Sequence, residues 1–145
     1  MRALLDVNVL VALFDEEHPF FSSAHRWMET ECHYGWASNA LTENGLMRVL
    51  SNPNYSKILR ISPTTVIHKL NRFINATDHE FWPNDLSLRD QNIFDVGQIL
   101  GSRQISDLYL LGLAVKHQGR LVTFDTTIYR NAVPAAQPAH LCVIT

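Results

Sequence analysis

Short apolar runs alternate with longer helical patterns along the chain. The apolar runs predict strands over residues 2–5, 34–37, 81–82, 120–124 and 140–144. Apolar residues at helical spacing predict helices over residues 7–14, 19–31, 41–51, 63–74, 89–100 and 107–119. Strands that alternate with helices or helix pairs favour an α/β fold, with a central parallel sheet of four or five strands flanked by helices on both faces.

Polar residues and one glycine mark where several of these helices should begin or end. Short polar side chains accept hydrogen bonds from the first backbone N–H groups of a helix, and proline suits the first helical position. We expect helix starts at Ser38 or Asn39, at Ser62 with Pro63, and at Ser106, and a helix end at Gly119.

Length and composition indicate one globular domain spanning residues 1–145. Apolar residues make up 46% of the chain and charged residues 18%, which excludes a disordered protein. No apolar run reaches the roughly eighteen residues of a membrane helix, and Asp6 interrupts the apolar N-terminus, so no signal peptide is expected. We therefore expect a cytoplasmic protein whose two cysteines, Cys32 and Cys142, are reduced.

Four acidic residues fall where the predicted sheet would form a crevice. Asp6 and Asp125 each follow a strand directly, and sites in open parallel sheets form beyond the carboxyl ends of strands. Glu43 and Asp107 lie near helix starts, which face the same edge. If the four carboxylates converge, they repel one another unless protons or a hard divalent cation such as Mg²⁺ intervene. The pattern therefore predicts a metal–carboxylate site.

The same acids also have an ordinary structural interpretation. Acidic residues are favoured at helix N-termini, so Asp6 and Asp107, each taken alone, are equally well explained as helix caps. The positions of these acids in the predicted strands and helices therefore do not decide between helix capping and metal binding.

Three segments carry a family resemblance. They are LLDVNVLVALFDEEHPFFSSAHRW, which begins around Asp6, LTENGLMRVLSNP, which holds Glu43, and GSRQISDLYLLGLAVKHQGRLVTFD, which holds Asp107 and Asp125. Over nearly the whole chain the sequence resembles PIN-domain proteins, specifically VapC-type toxin ribonucleases of type II toxin–antitoxin systems. The resemblance implies a single PIN-like domain and a metal-dependent endoribonuclease that cleaves RNA phosphodiester bonds. Transfer RNA is a frequent target of similar toxins.

The resemblance also implies a cofactor, its ligands and several partners. Mg²⁺, for which Mn²⁺ can substitute, would be held by the quartet Asp6, Glu43, Asp107 and Asp125, and water would attack the phosphodiester. The implied partners are the RNA substrate, a cognate VapB-type antitoxin and a second copy of the chain in a homodimer; no membrane is involved.

Two polar residues are candidates to support the quartet by hydrogen bonds. Asn8 and Thr123 each lie two residues from one of the acids, and similar proteins place a polar residue at such positions. Ordinary turn bonding is the alternative for Asn8.

Basic residues are candidates for contacts with RNA. The net charge of −2 excludes a generally basic nucleic-acid binder, but residues 44–77 contain basic side chains and no acid. Within this segment Lys57 and Arg60 are expected to meet phosphates, and Arg103 is a further phosphate contact. The alternative for each is a solvated position on the surface.

Two other classes of function fit the sequence less well. A phosphatase or phosphoacceptor with Asp6 as nucleophile would be expected to carry a second acid in a D-x-D motif, where this chain has Asn8. A binding module without catalysis is disfavoured because all four acids of the quartet are present.

Overall fold

The structure is a computed structural model that describes residues 1–56, 58 and 61–145, apart from the side chain of Cys32. Within these residues one sheet is formed by the strands β1 (Ala3–Leu5), β2 (Trp36–Ser38), β3 (His79–Phe81), β4 (Arg120–Thr123) and β5 (Leu141–Val143). All neighbouring strands pair in parallel, in the order β3-β2-β1-β4-β5. The first strand is therefore central, and β4 is its neighbour although it lies far away in sequence.

The helices of the described chain are α1 (Val7–Phe14), α2 (Phe21–Glu31), α3 (Ala40–Leu50), α4 (Pro63–Ala76) and α5 (Ile105–Lys116). The pair α1 and α2 connects β1 to β2, and the pair α3 and α4 connects β2 to β3. Helix α5 precedes β4. None of the helices in this part of the chain is long and apolar enough to span a membrane.

Side chains that alternate along β1 contribute to two hydrophobic cores. Ala3 and Leu5 belong to a core built with residues of α1 to α4. Leu4 belongs to a second core, built with α5 and with segments that follow β3 and β4. Because successive residues of a strand point to opposite faces, the sheet is covered on both sides. The predicted α/β architecture, with a parallel sheet between two layers, is confirmed.

Two of the predicted helix starts are confirmed. The side chain of Asn39 accepts a hydrogen bond from Thr42 N at the start of α3, and Ser62 caps α4 by accepting from Thr65 N. The alternative cap, Ser38, is instead the last residue of β2.

Both predicted ends of α5 are wrong in detail. The chain is already helical in the 3₁₀ turn Ser102–Gln104, which leads directly into α5. Ser106 therefore lies inside the first turn of α5 and is not its N-cap. At the other end Gln118, with φ 55°, adopts the left-handed conformation that was expected of Gly119. Gly119 is required for space instead, because a Cβ there would lie 2.5 Å from the carbonyl oxygen of Arg2.

The predicted helix over residues 89–100 is also wrong. This segment forms turns and one 3₁₀ turn, Val96–Gln98. Asp90 and Asp95 explain the difference, since each carboxylate accepts a hydrogen bond from the backbone N–H two residues later, at 2.9 and 3.2 Å. Such local bonds compete with helical ones. Of the two apolar residues between them, Phe94 is buried in the second core and Ile93 packs against it.

Candidate active site

Asp6 lies at the junction of the central strand with α1. It caps the helix, with Oδ1 accepting from Val7 N at 2.7 Å, while Oδ2 accepts from the hydroxyl of Thr123 at 2.7 Å. Its side chain is only 6% exposed, and this burial raises the pKa of Asp6. Because both carboxylate oxygens accept hydrogen bonds within the protein, the arrangement suits a fixed ligand better than an attacking nucleophile.

Thr123 connects the two strands that carry the acids. Its buried hydroxyl donates to Asp6 and accepts from Asn8 Nδ2 at 3.2 Å and from Asp125 N at 3.0 Å. The amide oxygen of Asn8 in turn accepts from Phe124 N at 3.3 Å. Both residues expected to support the cluster therefore make hydrogen bonds between the end of β1 and the end of β4.

Asp107 and Asp125 lie beside Asp6. Asp125 is the second residue after β4, and its Oδ1 accepts from the backbone and hydroxyl of Thr127 at 2.7 and 2.6 Å. Asp107 is half-buried in the first turn of α5. Burial, and then the negative charges of Asp6 and Asp125, raise the pKa of Asp107 to about 7, and a hydrogen bond with Asp125 contributes. Three of the four predicted acids thus act on one another electrostatically.

These three acids line one cavity of about 370 Å³. The rest of its lining is apolar or uncharged apart from one histidine, and consists of Val7, Asn8, Val11, His18, Val49 and Tyr55. Among the described residues, no lysine, arginine or histidine forms an ion pair with Asp6, Asp107 or Asp125. The cavity therefore concentrates negative charge that the described chain does not neutralise.

Glu43 is placed differently from the other three acids. It lies in the first turn of α3, and its Oε2 accepts a hydrogen bond from Ser38 Oγ at 2.5 Å. The same hydroxyl lies 2.8 Å from His79 Nε2 on β3. Glu43 is not among the residues that line the acidic cavity. Its helix nevertheless approaches Asp6 closely, because a Cβ on Gly45 would lie 2.5 Å from Val7 Cγ2.

The basic candidates lie away from the cavity lining or outside the described residues. Arg103 is exposed in the turn that precedes α5. Lys57 and Arg60 fall outside the residues that the structure describes. Of the basic residues in the segment 44–77, Lys69 and Arg72 line a separate cavity against α1 and α4.

Sequence reasoning did not anticipate the roles of His18 and Tyr55 in lining this cavity. Tyr55 donates a hydrogen bond to the buried carboxylate of Asp15 at 2.5 Å, which fixes the loop after α3 beside α1. This contact joins residues 40 positions apart and carries no local signal. His18 precedes a proline in a short loop, which by itself indicates only a turn.

The donor set fits a hard divalent cation. All three cavity acids offer carboxylate oxygens, the ligands that Mg²⁺ prefers. Among the described side chains, no three of His, Cys, Asp or Glu lie close enough together to form a group that could hold a metal ion as they stand. Burial and the neighbouring carboxylates favour a proton on Asp107, and a bound cation would take over the role of that proton in balancing the charge.

Comparisons with known proteins give a consistent result. The family model described as PIN domain matches residues 3–134. Ribonuclease VapC44 of Mycobacterium tuberculosis is 44% identical over 147 residues, which cover 99% of this chain and 100% of that protein. Ribonuclease VapC39 of the same organism is 36% identical over 132 residues, which cover 91% of this chain and 94% of that protein.

A solved structure gives independent support for the fold. The crystal structure of VapBC2 from Rickettsia felis, bound to a DNA fragment from their promoter, aligns with a TM-score of 0.59 at 16% sequence identity and covers 100% of both chains. At this identity the likeness concerns the fold alone.

Proposed function

This chain belongs to the PIN-domain family and, within it, to the VapC ribonucleases, and we propose that it is the toxin of a VapBC-type toxin–antitoxin pair, a metal-dependent endoribonuclease in which residues 1–145 act as one PIN domain. The observation that carries the proposal is the cavity where Asp6, Asp107 and Asp125 meet without a cationic partner among the described residues. Such a cavity suits a cation that in turn attracts an anionic phosphodiester.

The proposed cofactor is Mg²⁺, with Mn²⁺ able to substitute, held by Asp6, Glu43, Asp107 and Asp125. When bound, the cation supplies positive charge against the phosphodiester and makes an attacking water more acidic. The chain's own residues fix the donors: Thr123 orients Asp6, and Thr127 orients Asp125. Preorganised ligands of this kind lower the cost of binding the cation.

Glu43 is proposed as the fourth acidic ligand on the family resemblance. Its place in the first turn of α3 supports the proposal, because Gly45 lets this helix approach the residue that follows Asp6. The hydrogen bond from Ser38 orients the carboxylate beside the sheet edge.

RNA and an antitoxin are the proposed partners. Arg103 is an exposed candidate for a phosphate contact near the start of α5, and Lys57 and Arg60 stay predictions for the same role. Transfer RNA is the proposed target class. A VapB-type antitoxin would silence the site by placing an arginine against the carboxylates. The cytoplasm is the proposed location.

A homodimer is proposed as the assembly of the chain. Size-exclusion chromatography with light scattering tests it, and a mass twice the 16.5 kDa of one chain is expected. A mass of one chain at micromolar concentration would contradict it.

The direct test of the activity is RNA cleavage by the purified chain. We expect total bacterial RNA to be cut in Mg²⁺ or Mn²⁺ and left intact in EDTA, and expression without a partner to arrest bacterial growth. Asp6→Asn and Asp107→Asn should each reduce cleavage by about 100-fold or more, since each removes one charge from the cation site.

Asp95→Asn is the matched control, because this aspartate caps its own turn and lies outside the acidic cavity. It should cleave RNA as the unsubstituted chain does. If Asp6→Asn and Asp107→Asn also cleave at the original rate, the proposed site is wrong.

A further inference from the structure

An aromatic rim borders the acidic cavity, formed by His18, Phe20 and Phe124. His18 lines the cavity itself, and Phe124 lies between Thr123 and Asp125 in sequence. The rings of Phe20 and Phe124 stack with centroids 4.8 Å apart and an interplanar angle of 25°. The ring of His18 lies 5.8 Å from that of Phe20. The three aromatic rings therefore form one surface that adjoins the cavity lined by the carboxylates.

Phe20 keeps a large part of its ring exposed. Phe124 stacks on the ring and His18 lies 5.8 Å from it, yet Phe20 remains 48% exposed. Phe124 is partly buried against the core beside α1, which holds the stack in place. An exposed aromatic ring that is supported by a second, partly buried ring matches a planar, unpaired nucleobase.

The histidine of the rim, which lines the cavity, carries one further hydrogen-bond donor. His18 Nδ1 accepts from Phe20 N at 3.0 Å, so the neutral ring carries its proton on Nε2. No acceptor for this N–H is found among the described residues. The other uncharged donors of the lining are engaged, since Asn8 bonds to Thr123 and Tyr55 to Asp15.

We propose that the aromatic rim is a nucleotide subsite, in which one unpaired base of the RNA stacks on Phe20 while His18 donates from Nε2 to a phosphate oxygen of the same strand. The proposal rests on the ribonuclease activity proposed above. RNA is favoured over a protein segment as the occupant because His18 of the rim lines the cavity of the carboxylates. A phosphodiester held in that cavity would have its neighbouring base beside the rim. The subsite selects single-stranded RNA, because a base inside a duplex has both faces covered by its stacked neighbours.

The test measures base stacking separately from cleavage. A single-stranded RNA carrying 2-aminopurine is titrated with the full-length Asp107→Asn variant in Mg²⁺, and stacking is followed as quenching of the probe. Phe20→Ala in this background should weaken binding at least about fivefold, the fold-change that corresponds to roughly 1 kcal/mol of stacking. Phe20→Tyr should restore both affinity and quenching, whereas Phe20→Leu should restore neither.

Tyr34→Ala is the matched control. Tyr34 is also 48% exposed, but it precedes β2 and so lies at the opposite edge of the sheet from the cavity. It should leave affinity and quenching unchanged. Thermal melting of every variant confirms folding, which is expected because both rings are at the surface.

Steady-state cleavage completes the test with the acids intact. Phe20→Ala should raise KM at least about fivefold with kcat within about twofold, the signature of a lost binding contact. If the unsubstituted chain cleaves RNA and Phe20→Ala changes neither KM nor quenching, the subsite is overturned while the activity stands. The subsite is also overturned if Phe20→Ala weakens only the binding of the antitoxin.

The two proposals fail in different ways. If the unsubstituted chain cleaves no RNA in any divalent metal, and quenching by the Asp107→Asn variant still depends on Phe20, the activity falls and the nucleobase subsite stands. If neither cleavage nor quenching is seen, both fall.

Discussion

At the scale of single residues, the hydroxyl of Thr123 joins the two strand ends that carry the acids. It donates to Asp6 and accepts from Asn8 and from the backbone of Asp125, all in a fully buried position. Replacing a buried hydroxyl by a methyl group of similar size leaves its hydrogen-bond partners unsatisfied, which lowers the free energy of unfolding.

Thr123→Val should therefore weaken both the fold and the metal site. We expect the free energy of unfolding to fall by about 1–3 kcal/mol and the affinity for Mn²⁺ to fall by about 10–100-fold, measured by urea melts and by calorimetry. Thr123→Ser keeps the hydroxyl and should retain most of both. Thr30→Val is the control, since that exposed hydroxyl bonds only to carbonyls of its own helix. Unchanged Mn²⁺ affinity in Thr123→Val would contradict this role.

The raised pKa of Asp107 makes stability depend on pH when metal is absent. Its folded pKa of about 7 lies above the ordinary 3.8, so between these values the folded chain holds a proton that the unfolded chain has released. The contribution of this group to stability is therefore full near pH 4 and is lost as the pH rises to 7.

Asp107→Asn should remove this dependence. In EDTA at pH 8 the variant should be more stable than the unsubstituted chain by about 1–2 kcal/mol, a value reduced for the partial exposure of the group. The difference should shrink towards pH 4, as followed by thermal melting. Asp85→Asn, which breaks the ion pair with Lys116, should give no gain. Equal gains at pH 4 and pH 8 would show that ionisation of the buried Asp107 is not the cause.

At the scale of elements, α3 can pack closely against α1 because residue 45 is a glycine, which has no side chain. A Cβ on Gly45 would lie 2.5 Å from Val7 Cγ2, and a β-branched side chain in a helix has little freedom to move away. The contact joins the helix of Glu43 to the residue next to Asp6.

Gly45→Ala should gain about 1 kcal/mol in helix propensity but lose about 1–3 kcal/mol to overpacking, and it should reduce Mn²⁺ affinity by displacing α3. Adding Val7→Ala should relieve the clash. We expect the double variant to be more stable than the sum of the single effects by about 1 kcal/mol or more, measured by urea melts. Additive effects would mean that the two helices do not constrain each other here.

Elements with local signals could be predicted from the sequence. The strands around the site are short apolar runs, and the caps at Asn39 and Ser62 follow from their own hydrogen-bonding chemistry. The segment 89–100 was misjudged because Asp90 and Asp95 bond to nearby backbone, and this competes with a helix that the apolar spacing alone would favour.

In the acidic site, too, some features could be predicted from local sequence and others could not. Asp6 and Asp125 could be placed at the same edge because each directly follows a predicted strand, and the structure pairs the two strands, β1 and β4. The bonding of Glu43 could not be foreseen, since it depends on Ser38 and on His79, 41 residues further along the chain. That contact exists only because β2 and β3 pair in parallel, which no local pattern specifies.

At the scale of the whole molecule, the acidic cavity opposes folding until its charge is balanced. A ligand that binds only the folded state adds about 2.7 kcal/mol of stability at a concentration 100 times its Kd. Mn²⁺ at that concentration should therefore raise the melting temperature by roughly 5 °C. Asp6→Asn should abolish most of the rise, and the Asp95→Asn control should keep it. Equal rises in all three proteins would indicate binding elsewhere.

The most direct measurement of the central claim is anomalous diffraction from crystals grown with Mn²⁺. We expect a manganese peak in the acidic cavity, at roughly 2.1 Å from carboxylate oxygens of Asp6 and of at least one of Asp107 and Asp125. Crystals of Asp6→Asn should lack this peak. A fully folded chain in saturating Mn²⁺ with no manganese bound to these carboxylates would contradict the claim that they form a metal centre.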